Sequence, residues 1–278
     1  MGTAFTLFCA GALLVMAVVA NGAIKPARSF AETSRHTAPT PGISVITVFD
    51  NYAVDPALTT RWGFASVVIT PSSTLLFDTG SDGKVLLSNM KKMGLAPTEI
   101  DMVVISHAHM DHLGGLEVFL KANPNVTVYI PSSFSDTIRH SIRAVGAEYR
   151  DVDGPLTVAK GLRVTGGLDG GLTEQALIVE TAEGLVILTG CAHPGIVAIV
   201  ERAKEILPDR PVALVMGGFH LVSASESEID RIVHAFRRLA VERVAPSHCS
   251  GDRARQRFAR EYDQYYIEGG VGNVVVFD

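Results

Sequence analysis

The sequence has few cysteines, a single tryptophan and no excess of basic residues. Three cysteines among 278 residues are too few for a disulfide framework, although Cys191 and Cys249 can pair in an oxidising compartment. The 24 Lys and Arg residues are outnumbered by 29 Asp and Glu, and the net charge is −5. Without a basic excess, binding to a phosphate backbone has no electrostatic support, so no nucleic-acid partner is expected. A repeat of fixed period is also lacking, which excludes a solenoid.

The N-terminal segment contains a long apolar run without charge. Residues 4–20 are almost entirely apolar, and Lys25 is the first charged side chain. This pattern is typical of a signal peptide or a membrane anchor over residues 1–24. Val18 and Ala20 fit a cleavage site, but the run is also near the minimum length for a spanning helix, so both alternatives stay open. We therefore expect an exported protein, either periplasmic or membrane-anchored, whose folded domain lies outside the cytoplasm.

The rest of the chain has the pattern of a layered α/β domain. Residues 25–42 mix Pro, Ser, Thr and charge without apolar periodicity, which predicts a flexible linker before one domain over residues 43–278. β-Branched runs predict strands at 43–49, 65–70, 74–78, 102–106, 126–130, 212–216, 242–245 and 273–277, with a strand-rich stretch at 156–190. Helical periodicity predicts helices at 83–93, 114–122, 132–145, 195–206, 225–240 and 252–261. This alternation indicates sheets whose faces are covered by helices.

The densest group of polar side chains follows the predicted strand at 102–106. His107 and His109 are two positions apart in an extended segment, so they project to the same side and can share one metal ion. Asp111 and His112 follow where the chain turns into a helix, so they face another direction and can hold a second ion nearby. Imidazole and carboxylate are ligands of zinc, and four such groups are costly to bury together without a cation. The cluster therefore predicts a metal site.

Three later segments also place polar side chains at the ends of predicted strands. They carry, in chain order, Cys191 with His193, then His220, then His248. In a sheet of this kind, ligands gather where the strand ends meet. We therefore expect these residues to belong to the same site as the first cluster.

These motifs resemble the metallo-β-lactamase superfamily, whose signature His-x-His-x-Asp-His is matched residue for residue at 107–112. An upstream Asp78-Thr79-Gly80 adds to the resemblance, which covers residues 43–278. The segments Gly-Cys-Ala-His-Pro-Gly, Gly-Gly-Phe-His-Leu and Ser-His-Cys-Ser-Gly are similar to the branch labelled 7,8-dihydropterin-6-methyl-4-(β-D-ribofuranosyl)aminobenzene 5'-phosphate synthase. The resemblance implies a four-layer αββα sandwich with one or two zinc ions held by loops between the sheets.

The resemblance also implies a ligand set, from which this sequence departs twice. His107 and His109 would bind the first ion, and Asp111, His112 and His248 the second. The family's third histidine is expected before the strand at 176–180, but residues 166–175 contain none, so His193 is the nearest candidate. Cys191 stands where a bridging aspartate is expected, and its thiolate is a candidate ligand of the second ion.

The residues and the resemblance together predict a metal-dependent hydrolase. Metal-bound hydroxide would attack a small ester, amide or phosphodiester substrate, with Asp111 orienting the nucleophile and His220 donating to the oxyanion or leaving group. A di-iron redox enzyme of the same fold and a non-catalytic binding module that keeps the ion for structure are the alternatives. Arg253 and Arg255 are candidates to contact an anionic substrate. Trp62 is expected either to form a wall of the pocket or to fill the core.

Overall fold

Strands and short helices alternate along most of the chain. The computed structural model describes residues 1–2 and 42–278, so the expected leader at 1–24 and linker at 25–42 lie almost entirely outside the described residues. The strands are β1 (Ile43–Phe49), β2 (Ala65–Ile69), β3 (Thr74–Phe77), β4 (Met102–Val104), β5 (Thr127–Pro131), β6 (Glu148–Val152), β7 (Leu156–Ala159), β8 (Leu162–Val164), β9 (Leu168–Asp169), β10 (Thr173–Glu174), β11 (Leu177–Glu180), β12 (Leu185–Thr189), β13 (Val212–Gly218), β14 (Val241–Ser247) and β15 (Val274–Phe277). The α-helices are α1 (Gly83–Lys92), α2 (Met110–Leu113), α3 (Leu116–Ala122), α4 (Asp136–Ala144), α5 (Ile196–Ile206), α6 (Glu226–Arg238) and α7 (Asp252–Tyr262). Short 3-10 helices occupy Pro97–Glu99, His248–Ser250 and Asp263–Tyr265.

Two mixed β-sheets form the centre of the fold. The first has seven strands in the order β15-β1-β2-β3-β4-β5-β6, and the second has six in the order β14-β13-β12-β11-β8-β7. Strands β3 to β6 run parallel in the first sheet, as do β12 to β14 in the second. The carboxyl ends of the parallel strands in each sheet therefore share one edge, where loops can bring side chains together.

Apolar side chains on both faces of each sheet hold the layers together. In β12, Leu185 and Ile187 pack toward the helices α5 and α6, whereas Val186 and Leu188 pack between the two sheets. This alternation is the two-residue period of a strand that is buried on both faces. The outer face of the first sheet is covered in the same way by α1, α3 and α4, with Phe119 fully buried beneath them. The architecture is a four-layer αββα sandwich, which confirms the fold implied by the resemblance.

Two of the helices begin at side-chain caps. Helix α1 follows Asp82, whose carboxylate accepts hydrogen bonds from the backbone of Lys84 and Val85. Helix α6 follows Ser225, whose hydroxyl accepts one from the backbone of Glu228. Within residues 1–2 and 42–278, no helix combines the length and the apolar character needed to cross a membrane.

The helix predicted at 114–122 is observed as α3, and a separate short helix, α2, precedes it. Helix α2 ends at Leu113, and α3 begins after Gly114 and Gly115. A Cβ atom at Gly115 would lie 2.1 Å from the carbonyl oxygen of Thr79, so only glycine allows the two backbone segments to pack this closely. The prediction missed α2, which carries Asp111 and His112 and lies directly beside the end of β3.

A candidate metal centre at the strand ends

The candidate ligands converge from the ends of parallel strands in both sheets. The loop after β4 carries His107 and His109 and leads into α2, and the loop after β12 carries Cys191 and His193. His220 follows β13 and His248 follows β14. Three groups have donor atoms that all lie within 4.8 Å of one another: His107, His109 and His193; Asp111, His112, Cys191 and His248; and Cys191, His193 and His220. The structure thus brings together every residue that the sequence predicts for the metal site, and places His220 beside them.

The first group, which we call the three-histidine half, consists of His107, His109 and His193. The ring centroids lie 4.9 Å apart for His107 and His109, 4.7 Å for His107 and His193, and 4.9 Å for His109 and His193, so the three rings surround one point nearly evenly. His107 is buried and His109 is exposed. The Nε2 atom of His107 is buried and has no hydrogen-bond partner among the described residues. A buried polar atom without a partner is costly, and a cation at this point would satisfy it.

The second group, which we call the thiol half, consists of Asp111, His112, Cys191 and His248. The Cys191 Sγ atom lies 3.2 Å from His112 Nε2 and 3.4 Å from His248 Nε2. The Asp111 Oδ2 atom lies 3.2 Å from His248 Nε2 and 3.6 Å from His112 Nε2. Two ligands of one tetrahedral zinc ion, each bound at about 2.0–2.3 Å, are about 3.3–3.8 Å apart. The spacing and the chemistry of these donors therefore fit a metal ion.

Hydrogen bonds on the far side of the rings orient the histidines. The Nδ1 atoms lie 2.8 Å from a side-chain oxygen in each of three pairs: His112 with Asp78, His193 with Glu174, and His248 with Asn51. The Nδ1 atom of His107 lies 2.9 Å from the Ser106 hydroxyl. A partner on Nδ1 fixes the ring and directs Nε2 toward a metal, as outer partners of metal-binding histidines do.

Glu174 supports the loop that carries Cys191 and His193. Its carboxylate is buried and accepts hydrogen bonds from the backbone N–H groups of Cys191 at 2.9 Å, Ala192 at 2.8 Å and His193 at 2.9 Å. Burial raises the pKa of Glu174, but the hydrogen bonds from His193 and the neighbouring charges outweigh this and lower it to about 2. The carboxylate is therefore charged, and its four hydrogen bonds replace the water that burial removed.

Sequence reasoning missed Glu174. It lies in the 166–175 segment, where the resemblance predicted a histidine and none occurs. The only available signal was an acidic residue directly before a buried strand, which is too common to single out. The structure shows that His193, from the next loop, lies where the missing ligand was needed and is oriented by Glu174.

Burial determines the ionisation of the other groups. It lowers the pKa of His107 to about 3 and that of His112 to about 4, so both rings are neutral near pH 7, which is the form that binds metals. Burial also raises the pKa of Asp78 to about 7. For Asp111, burial is outweighed by the hydrogen bond with His248 and the nearby imidazoles, and the pKa falls below its usual range. The outermost ligand of the thiol half is therefore a carboxylate anion.

Cys191 and Cys249 are both buried free thiols. The sequence allowed them to pair, but in the structure Cys249 instead directs its Sγ atom to the Cys191 carbonyl oxygen at 3.6 Å. The hydrogen bond with Cys249, and then burial, raise the pKa of the Cys191 thiol. A coordinating cation has the opposite effect, because it deprotonates a thiol ligand. Cys191 is also the one residue shared by the thiol half and the group with His193 and His220.

The backbone is strained where the ligands are presented. Six non-glycine residues of the described chain have positive φ, and four belong to this centre: Asp78 at 57°, Ala192 at 64°, His220 at 55° and His248 at 49°. Such conformations are uncommon for residues with a Cβ atom and persist where the surroundings fix them, often at functional sites. Strain at these strand ends is consistent with a site whose geometry is held by the fold.

Two arginines and the tryptophan complete the surroundings. The guanidinium of Arg255 is buried, lies 3.6 Å over the Tyr52 ring and pairs with Glu268, which does not favour the predicted contact with a substrate. Arg253 donates to the carbonyl oxygen of Ala224 at 3.2 Å. Trp62 is exposed and donates from Nε1 to Asp111 Oδ2 at 3.0 Å, so it lies against the site and does not fill the core.

Comparison with known proteins confirms the resemblance. The model of the metallo-β-lactamase superfamily matches residues 60–194, which include the ligand-bearing loops after β4 and β12. The crystal structure of Tm1679, a metal-dependent hydrolase of the β-lactamase superfamily, is similar with a TM-score of 0.72 and 28% identity, over 85% of this chain and 100% of that one. The chain has the metallo-β-lactamase fold.

Two curated relatives are similar in sequence but differ in activity. The 7,8-dihydropterin-6-methyl-4-(β-D-ribofuranosyl)-aminobenzene-5'-phosphate synthase of Methanocaldococcus jannaschii is 27% identical over 247 residues, covering 73% of this chain and 84% of the relative. A UPF0173 metal-dependent hydrolase of Ignicoccus hospitalis is 24% identical over 187 residues, covering 64% of this chain and 76% of the relative. The relatives therefore include a synthase and a hydrolase, and the candidate centre fits the divalent metals usual in the metallo-β-lactamase superfamily.

Proposed function

We propose that this protein is a zinc-dependent hydrolase of a small ester, amide or phosphodiester substrate. Two observations carry the proposal. Partners on the Nδ1 atoms direct the Nε2 atoms of the histidines toward common points. The Nε2 atom of His107 is also buried and has no hydrogen-bond partner among the described residues. Nitrogen, sulfur and carboxylate donors in one centre suit zinc, and a thiolate favours zinc over a carboxylate-rich di-iron site.

Seven residues would hold one or two zinc ions. The three-histidine half offers His107, His109 and His193, and the thiol half offers Asp111, His112, Cys191 and His248. When bound, zinc lowers the pKa of a coordinated water toward about 7 and polarises the bond to be cleaved. Because His109 is exposed, the three-histidine half is open to solvent and leaves room for a substrate, as catalytic sites do and closed structural sites do not.

The chain's own groups perform the positioning and the proton transfers. Asp111 is charged and held by Trp62 and His248, so its carboxylate can accept a hydrogen bond from the attacking water and orient it. His220 is exposed, with its ring centroid 4.5 Å from that of His193, so it can donate a proton to the leaving group. Asp78 and Glu174 keep the rings of His112 and His193 in place during both steps.

The test first identifies the bound metal and then the class of substrate. Purified protein is analysed for bound elements, loaded with zinc and supplied with lactam, thioester, lactone, phosphodiester and phosphomonoester reporters. We expect zinc to be present and at least one reporter to be cleaved only by the zinc-loaded protein. Full turnover by protein free of metal, or a centre that takes up iron and reduces oxygen without cleaving any reporter, would overturn the proposal.

We further propose that the domain acts outside the cytoplasm on a small molecule. The support is the uncharged apolar run at 4–20 and the absence of a basic excess. Fractionation of expressing cells, with blotting for the domain, distinguishes a periplasmic from a membrane-attached protein by the fraction that contains it. Recovery of the intact chain only from the cytoplasm would contradict export.

A further inference from the structure

An exposed tryptophan borders the candidate centre. Trp62, the only tryptophan of the sequence, is 50% exposed and contacts Asp111 and His248. Tryptophan is a large, mostly apolar side chain with one polar group, and such side chains are common in the walls of ligand-binding pockets. The uncovered part of this ring is therefore a candidate contact for a substrate.

Trp62 is held rigidly against the thiol half. Its Nε1 atom donates to Asp111 Oδ2 at 3.0 Å, and its ring centroid lies 4.8 Å from that of His248. The backbone beside it is fixed as well, since Phe64 donates to the carbonyl oxygen of Asp111 at 3.2 Å. A Cβ atom at Gly63 would lie 2.3 Å from the same oxygen, so the loop can reach Asp111 only with glycine at that position. The indole is therefore fixed by contacts with the site itself.

The orientation of the indole separates its polar and apolar parts. The N–H group is satisfied by Asp111, so the exposed part of the ring has no further polar requirement. A rigid aromatic surface of this kind gains most from a second ring, because stacked or edge-to-face pairs are favourable beyond the area that they bury. Aliphatic groups gain only from the buried area.

We propose that Trp62 determines specificity by stacking on a planar aromatic group of the substrate, which lies next to the bond that the metal centre cleaves. This inference deepens the proposed function and rests on it for the reaction, but the stacking itself is measurable without turnover.

The experiment compares two probes that differ only in aromaticity. Zinc-loaded protein is titrated by calorimetry with benzylphosphonate and with cyclohexylmethylphosphonate, which share the anionic group and nearly share their size. We expect the wild type to bind the benzyl compound about fivefold more tightly, which is the range that an aromatic pair contributes. Val276→Thr, at an exposed apolar position of β15 outside the site, is the control and should keep this preference.

Two variants separate stacking from the support of Asp111. Trp62→Phe and Trp62→Leu both lose the N–H donor, but only Trp62→Phe keeps a ring. We expect Trp62→Phe to retain a benzyl preference of at least about twofold, and Trp62→Leu to bind both phosphonates equally. A loss of metal or of structure affects both variants alike, so it does not produce this difference.

The outcomes separate this inference from the proposed function. Equal binding of the two phosphonates by the wild type, a preference for the cyclohexyl compound, or a benzyl preference that survives in Trp62→Leu would overturn the stacking. Benzyl methyl phosphate and cyclohexylmethyl methyl phosphate then report on turnover, because their leaving alcohols have similar acidity. Cleavage of both without an aromatic preference refutes the stacking alone. A retained benzyl preference in a protein that cleaves none of the reporters refutes the hydrolase alone.

Discussion

The two halves of the candidate centre are built differently. The three-histidine half has an exposed ligand, His109, and a partly buried one, His193, and it offers three protein donors. The thiol half offers four donors, of which only Asp111 is not fully buried. A site with three protein ligands leaves a position for water or substrate, whereas four protein ligands can close a tetrahedral ion. Under the proposed function, we therefore expect turnover to depend mainly on the first half, and the second half to hold its ion more firmly.

Removal of all metal should have the largest effect, because it empties both halves. Dialysis against a chelator should abolish hydrolysis and lower the free energy of unfolding, by about 4 kcal/mol for each ion lost, relative to protein in zinc at 1,000 times its Kd. Reporter assays and thermal unfolding with and without added zinc measure both effects. Activity that survives complete removal of metal would contradict the assignment of both halves.

Replacing one candidate ligand at a time tests the two halves separately. His109→Ala should lose the ion of the three-histidine half and reduce turnover about a thousandfold, which corresponds to roughly 4 kcal/mol of transition-state stabilisation. His248→Ala should lose the ion of the thiol half instead. Elemental analysis of each variant gives the number of ions that remain. His140→Ala, at an exposed position of α4, is the matched control and should keep the wild-type metal content.

His220→Gln tests whether this residue acts on the substrate or on the metal. A residue that only donates a proton to the leaving group should lower kcat about a hundredfold when replaced, with unchanged metal content. Steady-state kinetics and elemental analysis on the same preparation check this. Loss of an ion together with activity would instead make His220 a ligand, which its position near Cys191 and His193 allows.

Glu174→Gln should produce the smallest effect. It should weaken zinc binding more in the three-histidine half than in the thiol half. The neutral amide cannot accept all four hydrogen bonds, so His193 loses its orientation and zinc affinity of the three-histidine half should fall about 10- to 100-fold. In cobalt-substituted protein, the charge-transfer absorption from the Cys191 thiolate should persist. Glu148→Gln, at an exposed position of β6, is the control. Equal weakening of both halves would contradict this prediction, because the backbone hydrogen bonds of Glu174 to the loop would then matter as much as its contact with the His193 ring.

Local sequence patterns predicted the candidate ligands better than the residues that orient them. His107 to His112 form a dense cluster at a strand end, and a dense polar cluster is visible without any knowledge of tertiary contacts. The αββα fold was implied by the resemblance, and the predicted helices and strands lie within a few residues of those observed. Apolar periodicity therefore predicted most of the helices and strands, and the resemblance supplied their arrangement.

Residues that act across the fold could not be predicted from the sequence. Glu174 and Asn51 matter because they lie against His193 and His248, and these contacts join separate parts of the chain. Arg255 carries a positive charge that would suit an anionic substrate, but its stacking on Tyr52 depends on tertiary packing. The short helix α2 was missed because its four residues are too few to show a helical period.

The position of the donors on two different sheets has a mechanical consequence. The Nε2 atom of His112 lies 3.2 Å from the Sγ atom of Cys191, although the residues are 79 positions apart in the chain. A cation between them would fasten one sheet to the other, and it would stabilise the folded state because the unfolded chain has no such site. A chain poor in cysteine would thus gain a reversible cross-link, and the concentration of free ion would set the fraction of molecules in which the sheets are joined.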